Sequence, residues 1–432
     1  MNETVSRLLD AYRAEFTEKL REWVRIPSVQ GEAEDGAPFG KEVRHMLDTA
    51  EADAKAMGFP VRDFDGYACD ITLGSRPEMI AVLGHLDVVP IGSGWTKPPF
   101  GGVIEDGRLY GRGATDDKGP ILAALFALYD IKRSGAPLGK RVRILFGTEE
   151  ETGCEDMKYY VNHGGELPAL GFTPDGAFPL IHGEKGLLIE EYVCRFEPGA
   201  LKSAWGGTAA NIVPDFARAE LADGSVIECR GVSAHGAEPW KGENAVGKLL
   251  AALDALALEG PLGTAISFLH ERIGMETRGE SLGVGLRDAL SGPLSFNLGM
   301  LRAGETELRV TVNYRYPVTC RFDDCAPQVR AAFAEAGFEL ASAMHDECLF
   351  VPEDAPLVRK LMGVYNAYTG QHAKPLCIGG GTYAKSMPNI LAFGPCFPGD
   401  EVTEHQPDEY IRLDRLQQNF DLIRLAILAL AE

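Results

Sequence analysis

His85 and Asp87 stand two residues apart at the end of an apolar run, AVLGHLDVVP (residues 81–90). In an extended strand such residues face the same side, so a metal-binding imidazole and a carboxylate point into one space. Alone, the pair reads more readily as a satisfied polar couple at a strand end. A second stretch, YGRGATDDKGP, sets Asp116 and Asp117 in a glycine-rich turn before an apolar helix. Adjacent acids there often cap a helix; a carboxylate can also bridge two cations about 3.5–4 Å apart. GTEEETG places Glu149, Glu150 and Glu151 in succession at another strand end. Three such carboxylates repel one another unless cations or raised pKa values relieve them. TPDG adds Asp175, and GDEVTEHQPDEY adds His405. Two imidazoles and at least three carboxylates from separate strand ends or loops are zinc-like nitrogen and oxygen donors, with room left for a water.

The scaffold that positions these groups is legible in the patterning. EMIAVLGHLDVVP reads as a buried strand, GPILAALFALYDIK as a buried helix starting near Pro120, and RVRILFGTEEETG and LPALGFTPDG as further strands that end in carboxylates. Strand and helix alternating in this way predict an α/β domain with a mostly parallel central sheet and helices on both faces. Ligands of such sheets gather at the carboxyl ends of the strands. Val5, Leu8, Leu9, Tyr12 and Phe16 predict an amphipathic helix within residues 1–25. From about residue 187 the texture changes to alternating, antiparallel-type strands (GLLIEEYVCRF, FARAELADGSVIECRGVSAHG, ETELRVTVNYRYPV) with helices at NAVGKLLAALDALAL and CAPQVRAAFAEAG. APLVRKLMGVYNAYTG and a closing helix over 413–431 then return to the first texture. The expectation is one domain from residues 1–186 and 351–432, with an α+β domain, 187–350, inserted into it.

A chain of 432 residues, 45% hydrophobic, suits two domains with substantial cores. The formal net charge of -21 argues against nucleic acid and anionic membranes as partners. Nine cysteines without a CxxC pair suit reduced, buried thiols in a cytoplasmic protein. MNETVSRLLDAYRAEF has no apolar signal core, and LIRLAILALAE is too short to span a bilayer.

As an ordered set, GHLDVVP, GWTKPPFGGVIEDGRLYGRGATDDKGP, GTEEETG, TPDGAFPLIHGEKG, GTAANIVPD, GVSAHGAEPWKGENA, NYRYP, GGGTYA and EHQPDEYI resemble the M20 metallopeptidases over essentially the whole chain. The resemblance is nearest to the PepV-type bacterial dipeptidases, relatives of the carnosinases. It implies two divalent ions, zinc ahead of manganese or cobalt. His85 would bind one ion, Asp116 would bridge both, Asp175 would complete the first, and Glu151 and His405 would bind the second. Asp175 departs from members that carry Glu there. Asp87 would orient His85, and Glu150 would be the general base. The two residues just before Thr152-Gly153 match the family's base and ligand, which leaves Glu149 without a role; the bridging acid lies two before Lys118, hence Asp116 rather than Asp117. His235, Asn211 and Arg315 match substrate-contacting positions of the inserted domain, and Gly379-Gly380-Gly381-Thr382 matches a backbone-donor loop. The implied activity is hydrolysis of unblocked dipeptides. An N-acyl amino acid deacylase or a carboxypeptidase is the alternative, and a non-catalytic peptide-binding relative a remote one. The inserted region is longer than a pairing domain needs, which implies a monomer, although the chain is short for that branch.

Overall fold

The computed structural model describes residues 12–432. The part of the expected N-terminal helix that carries Val5, Leu8 and Leu9 lies outside them. The chain divides into two compact units: Met1–His182 with Val351–Leu376 and Thr382–Glu432, and Gly183–Phe350 with Cys377–Gly381.

In the first unit six strands form the main sheet: β1 (Val61–Phe64), β2 (Ala68–Leu73), β3 (Met79–His85), β4 (Arg141–Gly147), β5 (Leu170–Thr173) and β6 (Ile390–Ala392). Their order is β1-β2-β4-β3-β5-β6. The β4-β3-β5-β6 centre is parallel, whereas β1, β2 and β4 pair antiparallel, so the sheet is mixed. Every residue of β3 is buried, as the continuous apolar run requires of a strand covered on both faces. The helices of this unit are α1 (Arg13–Arg25), α2 (Lys41–Ala56), α3 (Lys118–Ser134), α4 (Glu155–Asn162), α5 (Pro356–Thr369) and α6 (Leu413–Ala431). α3 and α6 pack on β3 and on each other; α2 and α4 pack on β2. The close approach of α3 depends on Gly84, where a Cβ would stand 2.7 Å from the Ile121 side chain. β3, β4 and β5 all end on one side of the sheet, and His85, the Glu149–Glu151 run and Asp175 follow directly from those ends.

The second unit holds a seven-stranded antiparallel sheet that includes Gly186–Arg195, Ser295–Ala303 and Glu307–Tyr316. Its core joins Leu188, Tyr192, Val310 and Val312 of the strands to residues of three helices, Ala245–Asp254, Gly260–Arg272 and Ala326–Glu335. The first and third helices were expected. The second was not; it starts at Gly260-Pro261, and proline sits comfortably in a first helical turn. Among the described residues no helix is long and apolar enough to cross a membrane.

Candidate metal centre

His85 ends β3, and Asp87 lies just beyond the strand. Their meeting is therefore not set by the pleat alone, as the spacing suggested. The chain turns so that the Asp87 carbonyl lies 3.1 Å, and its carboxylate 3.4 Å, from His85 Nδ1. That leaves Nε2 facing outward, 3.0 Å from Asp116 Oδ1. Asp116 Oδ2 lies 3.0 Å from His405 Nε2. One carboxylate thus engages two imidazoles, one through each oxygen. Glu151 approaches the same His405 nitrogen at 3.1 Å. Three overlapping donor sets lie within 4.8 Å among themselves: His85, Asp116 and Asp175; Asp116, Glu151 and His405; His85, Glu150 and Glu151.

The neighbours of Asp116 and Glu150 are turned to other uses. Asp117 is buried, and its Oδ2 accepts the His85 backbone N–H at 3.2 Å. Glu149 accepts the Thr152 hydroxyl at 2.8 Å and the Glu155 N–H at 2.7 Å, fixing the start of α4. Glu150 makes no side-chain hydrogen bond among the described residues, and its carboxyl is left to the cluster. Asp87 accepts the backbone N–H groups of Glu150 and Glu151 at 3.2 and 3.1 Å, so it holds both the imidazole and the acidic loop. Asp175 accepts the Tyr383 N–H at 3.1 Å.

Charge crowding is the chief electrostatic feature. Burial, then the neighbouring Asp175 charge, pushes the Glu150 carboxyl well above the ordinary carboxylate range. Burial and Asp116 push Asp175 up to about 7. Burial opposes charge on His405, but the hydrogen bonds its Nε2 donates to Asp116 and Glu151 outweigh it and raise its pKa to about 11. Without cations, protons must compensate the clustered carboxylates. Nitrogen and carboxylate donors at this separation fit divalent ions of the zinc, manganese or cobalt kind.

Residues that sequence reasoning did not single out hold this cluster together. Glu409 accepts the N–H groups of Thr115 and Asp116 at 3.0 and 3.3 Å and pairs with Arg112 at 2.7 Å, both side chains being buried. His405 has φ +63, a left-handed conformation uncommon outside glycine. Strain of that kind gathers where a side chain must point in a set direction. The Lys118 ammonium, buried, donates to the Trp23 and Ile26 carbonyls and ties the DDKG turn to α1. Tyr383 donates its hydroxyl to Asp156 against Gly147, at the end of β4. Glu409 and Arg112 do fall within the quoted motifs, but residue type alone cannot show that a Glu is buried. Arg112→Met is expected to leave Glu409 buried without its cation and to cost about 3–5 kcal/mol of stability. Thermal and urea melts check this, with the exposed Lys158–Glu155 pair as a control whose loss should change little.

The other expected contact residues lie apart from this cluster in the chain. In the second unit, Asn211 and His235 are exposed and adjacent: the Gly236 N–H donates to the Asn211 carbonyl at 2.7 Å, and Ile212 bridges His235. Arg315 is only 4% exposed; its Nη1 donates to the Gly379 carbonyl at 2.6 Å and its Nε to Asn313. Burial lowers its pKa to about 10. The fork is thus partly engaged by the loop that carries Gly380 and Gly381. Thr382 belongs to the first unit, where its hydroxyl caps the short turn Tyr383–Ser386.

A sheet with a parallel centre and a cluster of imidazoles and carboxylates at its strand ends is the frame of a metal-dependent hydrolase. The chain belongs to peptidase family M20/M25/M40, whose model matches residues 81–429. It is a metallopeptidase of that family. It is 37% identical to YtjP of Bacillus subtilis (strain 168), which bears a provisional dipeptidase name, over 95% of this chain and 96% of that one. Human carnosine dipeptidase 1 has the same fold, with a TM-score of 0.64 at 15% identity over 99% of this chain and 98% of that one. So does the Bacillus subtilis YXEP protein, described as a dinuclear metal-binding peptidase of the M20 family, with a TM-score of 0.59 at 11% identity over 98% and 99%.

Proposed function

We propose that this protein is a two-metal dipeptidase that hydrolyses unblocked dipeptides, the first unit carrying the catalysis and the second acting as a substrate-binding lid. The observation that carries the reading is Asp116, whose two oxygens face His85 and His405 separately. His85, Asp116 and Asp175 would hold one divalent ion; Asp116, Glu151 and His405 would hold the other. Two such ions would supply positive charge for the developing oxyanion and would acidify the attacking water. Asp87 keeps the His85 ring in place through Nδ1 and positions the Glu150–Glu151 backbone. Glu150 would take the proton of the attacking water on a carboxylate oxygen as the water oxygen adds to the peptide carbonyl carbon, and would deliver it to the amine nitrogen as the C–N bond breaks. His235, Asn211, Arg315 and the Gly380-Gly381-Thr382 backbone contribute substrate contacts, Arg315 suiting a terminal carboxylate by its fork geometry. The dipeptidase name of the 37% identical relative and the carnosine dipeptidase fold support this choice of substrate. The reading places the chain in the cytoplasm as a catalytically complete monomer.

The test is a panel of dipeptides, tripeptides and N-acetyl amino acids, assayed with zinc or manganese added back to chelated protein. Dipeptides with both termini free are expected to have the highest kcat/KM, and the chelated protein is expected to be inactive. Tripeptides cleaved equally fast, or N-acetyl amino acids cleaved faster, would move the assignment to a carboxypeptidase or a deacylase.

A further inference from the structure

Building on the substrate contacts read above for Arg315, Asn211 and His235, on which this inference rests, we propose that Asn297 and Asn313 are the positioning residues that hold those contacts in one frame. Asn297 fixes the loop that carries Asn211 and, through it, His235. Asn313 fixes the Arg315 fork and decides which edge of the guanidinium meets a substrate carboxylate.

The strands Ser295–Ala303 and Glu307–Tyr316 pair antiparallel, with Asn297 opposite Asn313 and Ser295 opposite Arg315. Side chains alternate across a sheet. Phe296, Leu298, Val312 and Tyr314 enter the hydrophobic core, so Ser295, Asn297, Asn313 and Arg315 share the other face. None of these four is more than 4% exposed. Burying such a polar row is costly unless its members gain bonds. A purely structural Asn–Asn couple at opposed positions would bond amide to amide. These two do not: Asn297 Oδ1 and Asn313 Nδ2 have no hydrogen-bond partner among the described residues. Each amide spends its other end on a separate group, and both groups belong to the substrate contacts.

Asn297 Nδ2 donates to the Ala210 and Ile212 carbonyls at 2.9 and 3.0 Å, the two carbonyls that flank Asn211. The Asn211 carbonyl in turn accepts the Gly236 N–H, and Ile212 bridges His235, so the His235 segment is held through the same loop. The strand pairing shifts register between Leu298 and Met300, a bulge at Gly299. A Cβ at Gly299 would stand 2.3 Å from the Ala210 carbonyl oxygen, so the bulge and its glycine admit the loop. On the facing strand Asn313 Oδ1 accepts from Arg315 Nε at 3.3 Å, while Arg315 Nη1 donates to the Gly379 carbonyl at 2.6 Å. A guanidinium presents five N–H groups in a fixed fork. With Nε turned to Asn313, its side edge is closed, and the outer Nη edge is the one left for a carboxylate. Because Asn297 and Asn313 are in register, loop and fork are fixed by neighbouring points of one strand pair.

The test compares L-alanyl-L-alanine with L-alanyl-L-alaninamide, which lacks the carboxylate, in steady-state kinetics of the intact metal-loaded chain. Asn313→Leu is expected to raise KM for the acid about ten-fold, the scale of a weakened charge-assisted hydrogen bond. Its kcat, and its KM for the amide, should stay within about two-fold of wild type, the mark of lost binding alone. In an Arg315→Met background the same change should add nothing, because it acts through the fork. Asn297→Leu should instead lower kcat on acid and amide alike at unchanged metal content, and add nothing in a His235→Ala background. A merely structural role would depress both substrates through either residue and persist in both backgrounds. Asn313→Ala takes the place of the leucine variant if a thermal melt shows the latter unfolded. Should the chain cleave N-acetyl-L-alanine and no dipeptide, the substrate reading fails, and the same comparison with N-acetyl-L-alanine and its amide still tests Asn313; a calorimetric Kd replaces KM if neither acid is cleaved. An acid KM unmoved by the Asn313 variant, raised equally for the amide, or raised as much without Arg315 would overturn the proposal.

Discussion

Glu150→Gln is expected to retain both metal ions and to lower kcat by about 10²–10⁴-fold, the usual contribution of a positioned general base. The amide keeps the volume of the side chain but cannot take a proton. Glu151 and His405, which meet at 3.1 Å, and the Asp116 contacts to both imidazoles are untouched by the change. Metal content and turnover measured on one preparation check it. Glu149→Gln is the necessary comparison. Glu149 is committed to the Thr152 hydroxyl and the start of α4, so its replacement should lower the melting temperature more than it lowers kcat. If Glu149→Gln were the dead variant and Glu150→Gln the active one, the proton acceptor would be wrongly assigned. The same protein tests the monomer. His235→Ala should also lose kcat at normal metal content, and mixing it with Glu150→Gln should restore nothing. Recovered activity would show the histidine serving a partner's centre.

Asp116→Ala is expected to abolish binding of both ions, and with it all turnover. Its two oxygens lie 3.0 Å from different imidazoles and it belongs to two of the candidate donor sets, so one truncation removes a carboxylate common to both sets. It also leaves His85, Glu150, Glu151 and Asp175 around a gap. Elemental analysis after dialysis against a stoichiometric metal is the measurement. One ion fully retained would take the bridging role from Asp116. Asp117→Asn should behave differently. Asp117 accepts the His85 backbone N–H from beneath the strand, so that change should cost stability and leave metal content near normal.

Local patterning determined a good deal by itself. The apolar run of residues 79–83, short and bounded by turn formers, reads as a covered strand, and the helix starting at Lys118 is buried along most of its length. Alternating elements then bring the ends of β3, β4 and β5 to one edge, which puts His85, the Glu triplet and Asp175 in reach of one another before any coordinate is known. Residue chemistry did the rest: imidazoles and carboxylates concentrated at strand ends have few uses other than holding cations or protons.

What tertiary structure decided depended on contacts between residues far apart in the chain. Which two of three consecutive glutamates face the cluster depended on α4, whose first turn claims Glu149. Which of two adjacent aspartates faces it was settled by the His85 backbone, which claims Asp117. Arg112 and Glu409, nearly 300 residues apart, set the Asp116 turn from behind, and no local pattern marks a buried ion pair. The left-handed backbone at His405 and the alignment of Asn297 with Asn313 are likewise invisible in sequence. A residue's type fixes which bonds it can make, whereas its burial and its partners depend on what the rest of the chain packs against it.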